Sequence, residues 1–129
     1  MIKRFTTFAV GLTLASSAHA VDGSVRRQLE ALSPEERIEQ RCDMEAMEQI
    51  GGARKGFRPD KVIAYAFGDP KQSEDLLKTR GAVFRSKGEW YRLAYRCETT
   101  ADGLDIRSFK FKIGERVPRE DWQAHYLYD

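Results

Sequence analysis

Long apolar runs, histidine, cysteine and net charge are all scarce in this 129-residue chain. The longest apolar stretch, Phe5 to Leu14, falls short of the roughly 20 residues a helix needs to cross a bilayer, so the chain is not expected to span a membrane. Of two histidines, His19 falls in the first twenty residues, which read as a removable segment; the remaining His125 is too few for a multi-histidine metal site and reads as a packed or surface residue, not the base of a triad, so neither a metal nor a cofactor is expected. Two cysteines, Cys42 and Cys97, leave no thiolate for catalysis or zinc if they pair. The 22 basic and 20 acidic residues nearly cancel, which argues against nucleic acid as a partner. No glycine-rich phosphate loop is present, because Gly51-Gly52 follow a helical pattern instead of leading into one. Internal repeats and low-complexity runs are absent too.

Residues 1–20 have the layout of an export signal: Lys3 and Arg4, the apolar run, then Ala18-His19-Ala20 as a small-x-small cleavage site. Cleavage after Ala20 gives a periplasmic or secreted product. Val21-Asp22-Gly23 stand immediately after the site in place of a cysteine, so no lipid anchor is expected. In an oxidising compartment a lone cysteine pair is expected to form a disulfide, here between Cys42 and Cys97. Residues 21–33 then read as a lead-in with Val25, Leu29 and Leu32 at helical spacing, and 34–129 as one α+β domain.

Within that domain Ser33-Pro34-Glu35-Glu36 is a strong helix start, combining an N-cap serine, proline at the first helical position and a glutamate three residues after the cap. The helix is expected to end at Gly51-Gly52. Its apolar stripe, Ile38, Cys42, Ala46 and Ile50, turns Cys42 toward the core. Val62 to Phe67 fits a strand or a helix; its aromatic and β-branched content selects the strand. Ser73 to Lys78 reads as one helical turn. From Ala82 the pattern becomes a meander: Ala82 to Ser86, a Lys87-Gly88 turn, Glu89 to Thr99, an Ala101-Asp102-Gly103 turn, and Leu104 to Ile113 with a bulge near Arg107 and Ser108. The expected architecture is one helix on an antiparallel sheet of about four strands, tied by the disulfide. A terminal segment with Trp122 and Leu127 closes the core.

Several blocks, in one order, carry a family resemblance. They are Arg41 to Met47, Pro59 to Ala66, Phe84 to Leu93, Tyr95 to Glu98, Ser108-Phe109 with Ile113-Gly114, and Pro118 with Trp122. On these the chain resembles the domain of unknown function 930 family of exported bacterial envelope proteins. The resemblance implies envelope localisation and a cysteine pair. It brings no activity or catalytic residue with it.

Alternation along Glu89 to Thr99 sets Tyr91, Leu93, Tyr95 and Cys97 on one face and Trp90, Arg92 and Arg96 on the other, with Lys110, Lys112, Arg85 and Lys87 beside them. Trp90, Arg92, Arg96, Lys110 and Lys112 form the candidate binding group, a basic face with an aromatic edge. Seven basic and four acidic residues between Arg85 and Lys112 contrast with two and six between Glu35 and Glu48, so a neutral molecule is expected to be dipolar. The leading expectation is a non-enzymatic binding or assembly module for an anionic envelope partner: a phosphorylated glycolipid, anionic lipid, acidic glycan or acidic protein. A plain solvated sheet face is the bland alternative. Glu39 with Asp43, or Glu45 with Glu48, at helical contact spacing, support a carboxylate-dependent glycan hydrolase as the competing class. A hydrolase inhibitor using the loop from Asp69 to Gly81 is a third. Met44 and Met47 lie off the stripe and call for a lid, either the N-terminal segment, the C-terminal one or a partner.

Overall fold

The computed structural model describes residues 21–129; the expected export signal lies outside them. Helix α1 spans Gly23–Glu30 and α2 spans Pro34–Ala53. The strands are β1 (Pro59–Ile63), β2 (Lys71–Ser73), β3 (Leu76–Ser86), β4 (Glu89–Thr99) and β5 (Ile106–Arg116), followed by two short 3₁₀ turns. They form one antiparallel sheet in the order β1-β3-β4-β5, with β2 also paired to β3. Among the described residues the architecture is therefore α+β, with five strands.

Local chemistry accounts for each boundary. The Asp22 carboxylate accepts from the Ser24 and Val25 amides at 3.0 Å and caps α1. Ser33 Oγ accepts from the Glu36 amide and donates to its carboxylate at 3.0 Å, starting α2. The helix runs through Gly51 and Gly52 to Ala53. Arg37 then ties the two helices together: its guanidinium donates to the carbonyls of Leu29, Glu30 and Leu32 at the end of α1, and to Asp102 O in the β4–β5 loop. Met44 faces the groove between the helices, with Val25, Leu29 and Leu32 opposite, while Met47 packs on the main core. The N-terminal segment is thus the lid over Met44.

On the helix side of the sheet, Ile38, Cys42, Ala46 and Ile50 pack against Leu77, Phe84, Leu93, Tyr95 and Cys97. The Cys42–Cys97 disulfide joins α2 to β4, with the two Cα atoms 6.0 Å apart. Such a bond points to a non-cytoplasmic location. Among the described residues no helix is long and apolar enough to cross a membrane.

The helical turn expected at Ser73 to Lys78 is a β-hairpin instead. Glu74 takes a left-handed φ of 52° in its turn, and beyond it buried Leu77 and Thr79 alternate with exposed Lys78 and Arg80, the period of a strand. The sheet accordingly has one strand more than expected. β3 begins at Leu76 and carries a bulge between Thr79 and Ala82. The strand expected over Val62 to Phe67 occupies Pro59–Ile63, and the chain then turns onto that bulge: Thr79 Oγ1 donates to Ala64 O at 2.6 Å and the Phe67 amide to Gly81 O at 2.8 Å. A β-carbon on Gly81 would come within 2.6 Å of the Gly68 nitrogen, so only glycine permits this approach. Lys87-Gly88 form the expected two-residue turn, both at positive φ. β4 has the expected limits. β5 starts at Ile106, with its bulge at Arg107, because Glu98 faces Ser108 and Thr99 faces Ile106. Leu104 is buried ahead of the strand, its carbonyl accepting from Arg41 Nε at 2.9 Å.

A second core occupies the opposite face of the sheet. Val117, Trp122 and Leu127 from the C-terminal segment pack there on Val83 and Trp90, with Ile63, Ala66 and Phe67 around them. This segment covers only one half of the face.

Candidate functional site: a basic sheet face

The uncovered half of that face is built by cross-strand register. Lys78 lies opposite Arg96, Arg96 opposite Lys110, and Ala94 opposite Lys112. These residues, with Arg80 from the β3 bulge, line one open depression, of which Ala94 is the smallest member. An adjoining depression of ≈ 510 Å³ shares Lys78 and Arg80 and is completed by Arg92, Lys71, Phe67 and one carboxylate, Asp69.

The structure brings Arg92, Arg96, Lys110 and Lys112 together on this side, as the alternation predicts. Trp90 lies on the same face but is 0% exposed, and its indole N–H donates to Tyr128 O at 2.8 Å. The C-terminal segment covers it, so Trp90 is not an accessible edge of the site. Arg85 sits apart from the group. It holds Asp60 with two hydrogen bonds, of 2.9 and 3.2 Å, between the rings of Trp90 and Tyr128.

Arg92 is half-buried and stacked. Its guanidinium carbon lies 3.7 Å from the centre of the Phe67 ring, and Nε is buried with no hydrogen-bond partner among the described residues. Gly114 leaves room for its stem, since a β-carbon there would fall 2.9 Å from Arg92 Cβ. Phe67 in turn stacks on His125, ring centres 3.7 Å apart, and His125 Nδ1 is 3.0 Å from Ala66 O, which makes Nδ1 the donor. His125 is therefore a packed side chain within a three-layer stack.

Among the described residues no ion pair engages Lys78, Arg80, Arg92, Arg96, Lys110 or Lys112; three exposed arginines elsewhere do meet carboxylates, Arg26 with Glu30, Arg116 with Glu89 and Arg119 with Asp129, while Arg27, Arg54, Arg58 and Arg107 do not. Like charges opposite one another in a sheet repel. The face is thus a concentrated positive field on the side away from acidic α2, whose own arginines are occupied: Arg41 pairs with Glu45 at 3.2 Å, and Arg37 holds carbonyls.

The carboxylates singled out for acid/base work lie on the helix side. Asp43 is 6% exposed and accepts from the Tyr95 hydroxyl at 2.8 Å. Burial pushes its carboxyl up to about 8, against the pull of the Tyr95 hydrogen bond, and raises the Tyr95 phenol too. Glu39 is raised as well, first by burial and then by Glu36. Neither lines any depression named above. Glu45 is held by Arg41 and by Gln49 Nε2 at 3.0 Å. Among the described residues no three His, Cys, Asp or Glu side chains come together as metal ligands.

Lys78 escapes the sequence reading because it closes the segment assigned there to a helical turn, and Arg80 because it falls in the unassigned residues between that turn and the meander. The Leu77-Lys78-Thr79-Arg80 alternation was the available signal. Burial of Trp90 depends on a segment almost forty residues away and has no local signature.

Comparison with known proteins gives one family. The model of Domain of Unknown Function (DUF930) matches residues 29–127, from the end of α1 through the C-terminal segment. No curated protein and no solved structure matches.

Proposed function

As a chain that belongs to the domain of unknown function 930 family, the protein inherits no assigned activity, and we propose from its own geometry that it is a non-enzymatic binding module whose basic sheet face docks an anionic partner in the cell envelope. The observation that carries this reading is the set of six cationic side chains aligned across β3, β4 and β5 with no ion pair among the described residues. Such an array is self-repulsive in the free protein. An anion relieves that repulsion on docking, which makes binding favourable and salt-sensitive. Arg92 and Arg96 supply forked donors for oxyanions, and Lys78, Lys110 and Lys112 supply point charges around them. The export-signal pattern of residues 1–20 and the disulfide support a periplasmic or secreted setting.

A carboxylate-dependent glycan hydrolase has less support, because Asp43 is 6% exposed and hydrogen-bonded to Tyr95, and Glu45 is held by Arg41 and Gln49. The binding reading is tested with long-chain polyphosphate as a generic anion, at 50 and 300 mM salt. Lys78→Glu with Arg96→Glu, both exposed sites, should weaken binding at least tenfold, and salt should weaken wild-type binding in the same direction. Equal affinity of wild type and variant would overturn the proposal.

A further inference from the structure

Tyr65, Tyr126 and Tyr128 are 59%, 88% and 50% exposed, the exposed large hydrophobics of the described residues, and all three line one depression. Ile63, Ala66, Lys61 and His125 line it too, and among the described residues its lining includes no carboxylate. The ring of His125 stacks on Phe67, which lines the basic depression beneath Arg92, so a single stack separates the two concavities.

We infer that this tyrosine-lined depression is a sugar-ring subsite, and that the anionic partner of the neighbouring basic face is an acidic glycan; the inference rests on the binding reading above. A tyrosine offers an apolar ring face with a hydroxyl at its rim. A pyranose has the matching pattern, C–H groups on its faces and hydroxyls around its edge. Lysine and imidazole in the lining add donors of the kind that orient a ligand in a mostly apolar pocket. An acyl chain matches poorly, since no leucine, isoleucine, valine, phenylalanine or tryptophan is among the exposed large hydrophobics of the described residues. A glycan chain carrying carboxylate or sulfate groups reaches both concavities at once, one sugar on the tyrosines and the next acidic group beside Arg92. Two linked contacts of this kind multiply in affinity.

The test compares three proteins and three probes by calorimetry. The proteins are wild type, Tyr65→Ser with Tyr126→Asn, and Lys78→Glu with Arg96→Glu. Asparagine is chosen at 126 because the residue has a left-handed φ of 55°, which asparagine accepts. The probes are polygalacturonate, polyphosphate and poly-L-glutamate. The inference predicts that the tyrosine variant loses tenfold or more toward polygalacturonate and less than twofold toward the other two. Unchanged polygalacturonate affinity in the tyrosine variant would overturn the sugar subsite, as would wild type that binds polyphosphate but not polygalacturonate. Equal losses toward poly-L-glutamate would overturn it in favour of an acidic peptide. Failure of the underlying basic-face reading shows separately, as polyphosphate binding that the charge variant retains.

Discussion

Asp43 illustrates what a single buried group does to a small domain. Its carboxyl titrates near 3.8 when exposed and at about 8 in the fold, so the folded chain keeps a proton that the unfolded chain releases. The stability it contributes is full below about pH 4, declines as pH rises toward 8, and is gone above that. Asp43→Asn keeps an acceptor for the Tyr95 hydroxyl and removes the charge. Thermal melts at pH 4, 6 and 8 should therefore show a variant whose advantage over wild type grows with pH. A constant difference would contradict the assignment. This behaviour is not legible in the sequence, where Asp43 resembles its acidic neighbours on α2. Only the depth of the helix–sheet interface separates it from them. Trp90 makes the same point: its strand face follows from alternation, but its burial follows from the docking of Tyr128 and Leu127.

Among the elements, the bulge in β3 is the hinge of the site's construction. It lets β2 and β1 share one edge of the same strand, and it receives the turn after β1 that carries Phe67 under Arg92. Gly81 makes this contact possible. Gly81→Ala places a β-carbon against the Gly68 backbone and should cost roughly 2 kcal/mol in denaturant unfolding. Because Phe67 shifts with that turn, the variant should also bind polyphosphate more weakly. Full stability in Gly81→Ala would contradict the close approach. The elements best legible in the sequence are those with strong local chemistry: α2 with its serine–proline start, β4 with its alternation, and the Lys87-Gly88 turn. The β2–β3 hairpin was only partly legible: Leu77 to Arg80 alternate as a strand, but the turn uses Glu74-Asp75 in place of glycine or asparagine, and the short polar stretch before it gives no strand signal.

At the scale of the molecule, a single sheet separates an acidic helix layer from a basic open face, and one disulfide fastens helix to sheet across 55 residues of sequence. Losing that link as Cys42→Ala with Cys97→Ala should lower stability by about 4 kcal/mol on the chain-entropy account. Equilibrium urea unfolding measures the loss; stabilities equal within 1 kcal/mol would contradict it. The cysteine pairing and the dipolar charge layout were legible from composition and alternation. The extent of the basic face was not, because Lys78 and Arg80 join it only through β3 pairing. Titration of isotope-labelled protein with polyphosphate, followed by amide chemical shifts, tests the central claim most directly. The account predicts the largest shifts at residues 78, 80, 92, 94, 96, 110 and 112, with α2 silent. Shifts centred on α2, or none on the basic face at saturating polyphosphate, would contradict it.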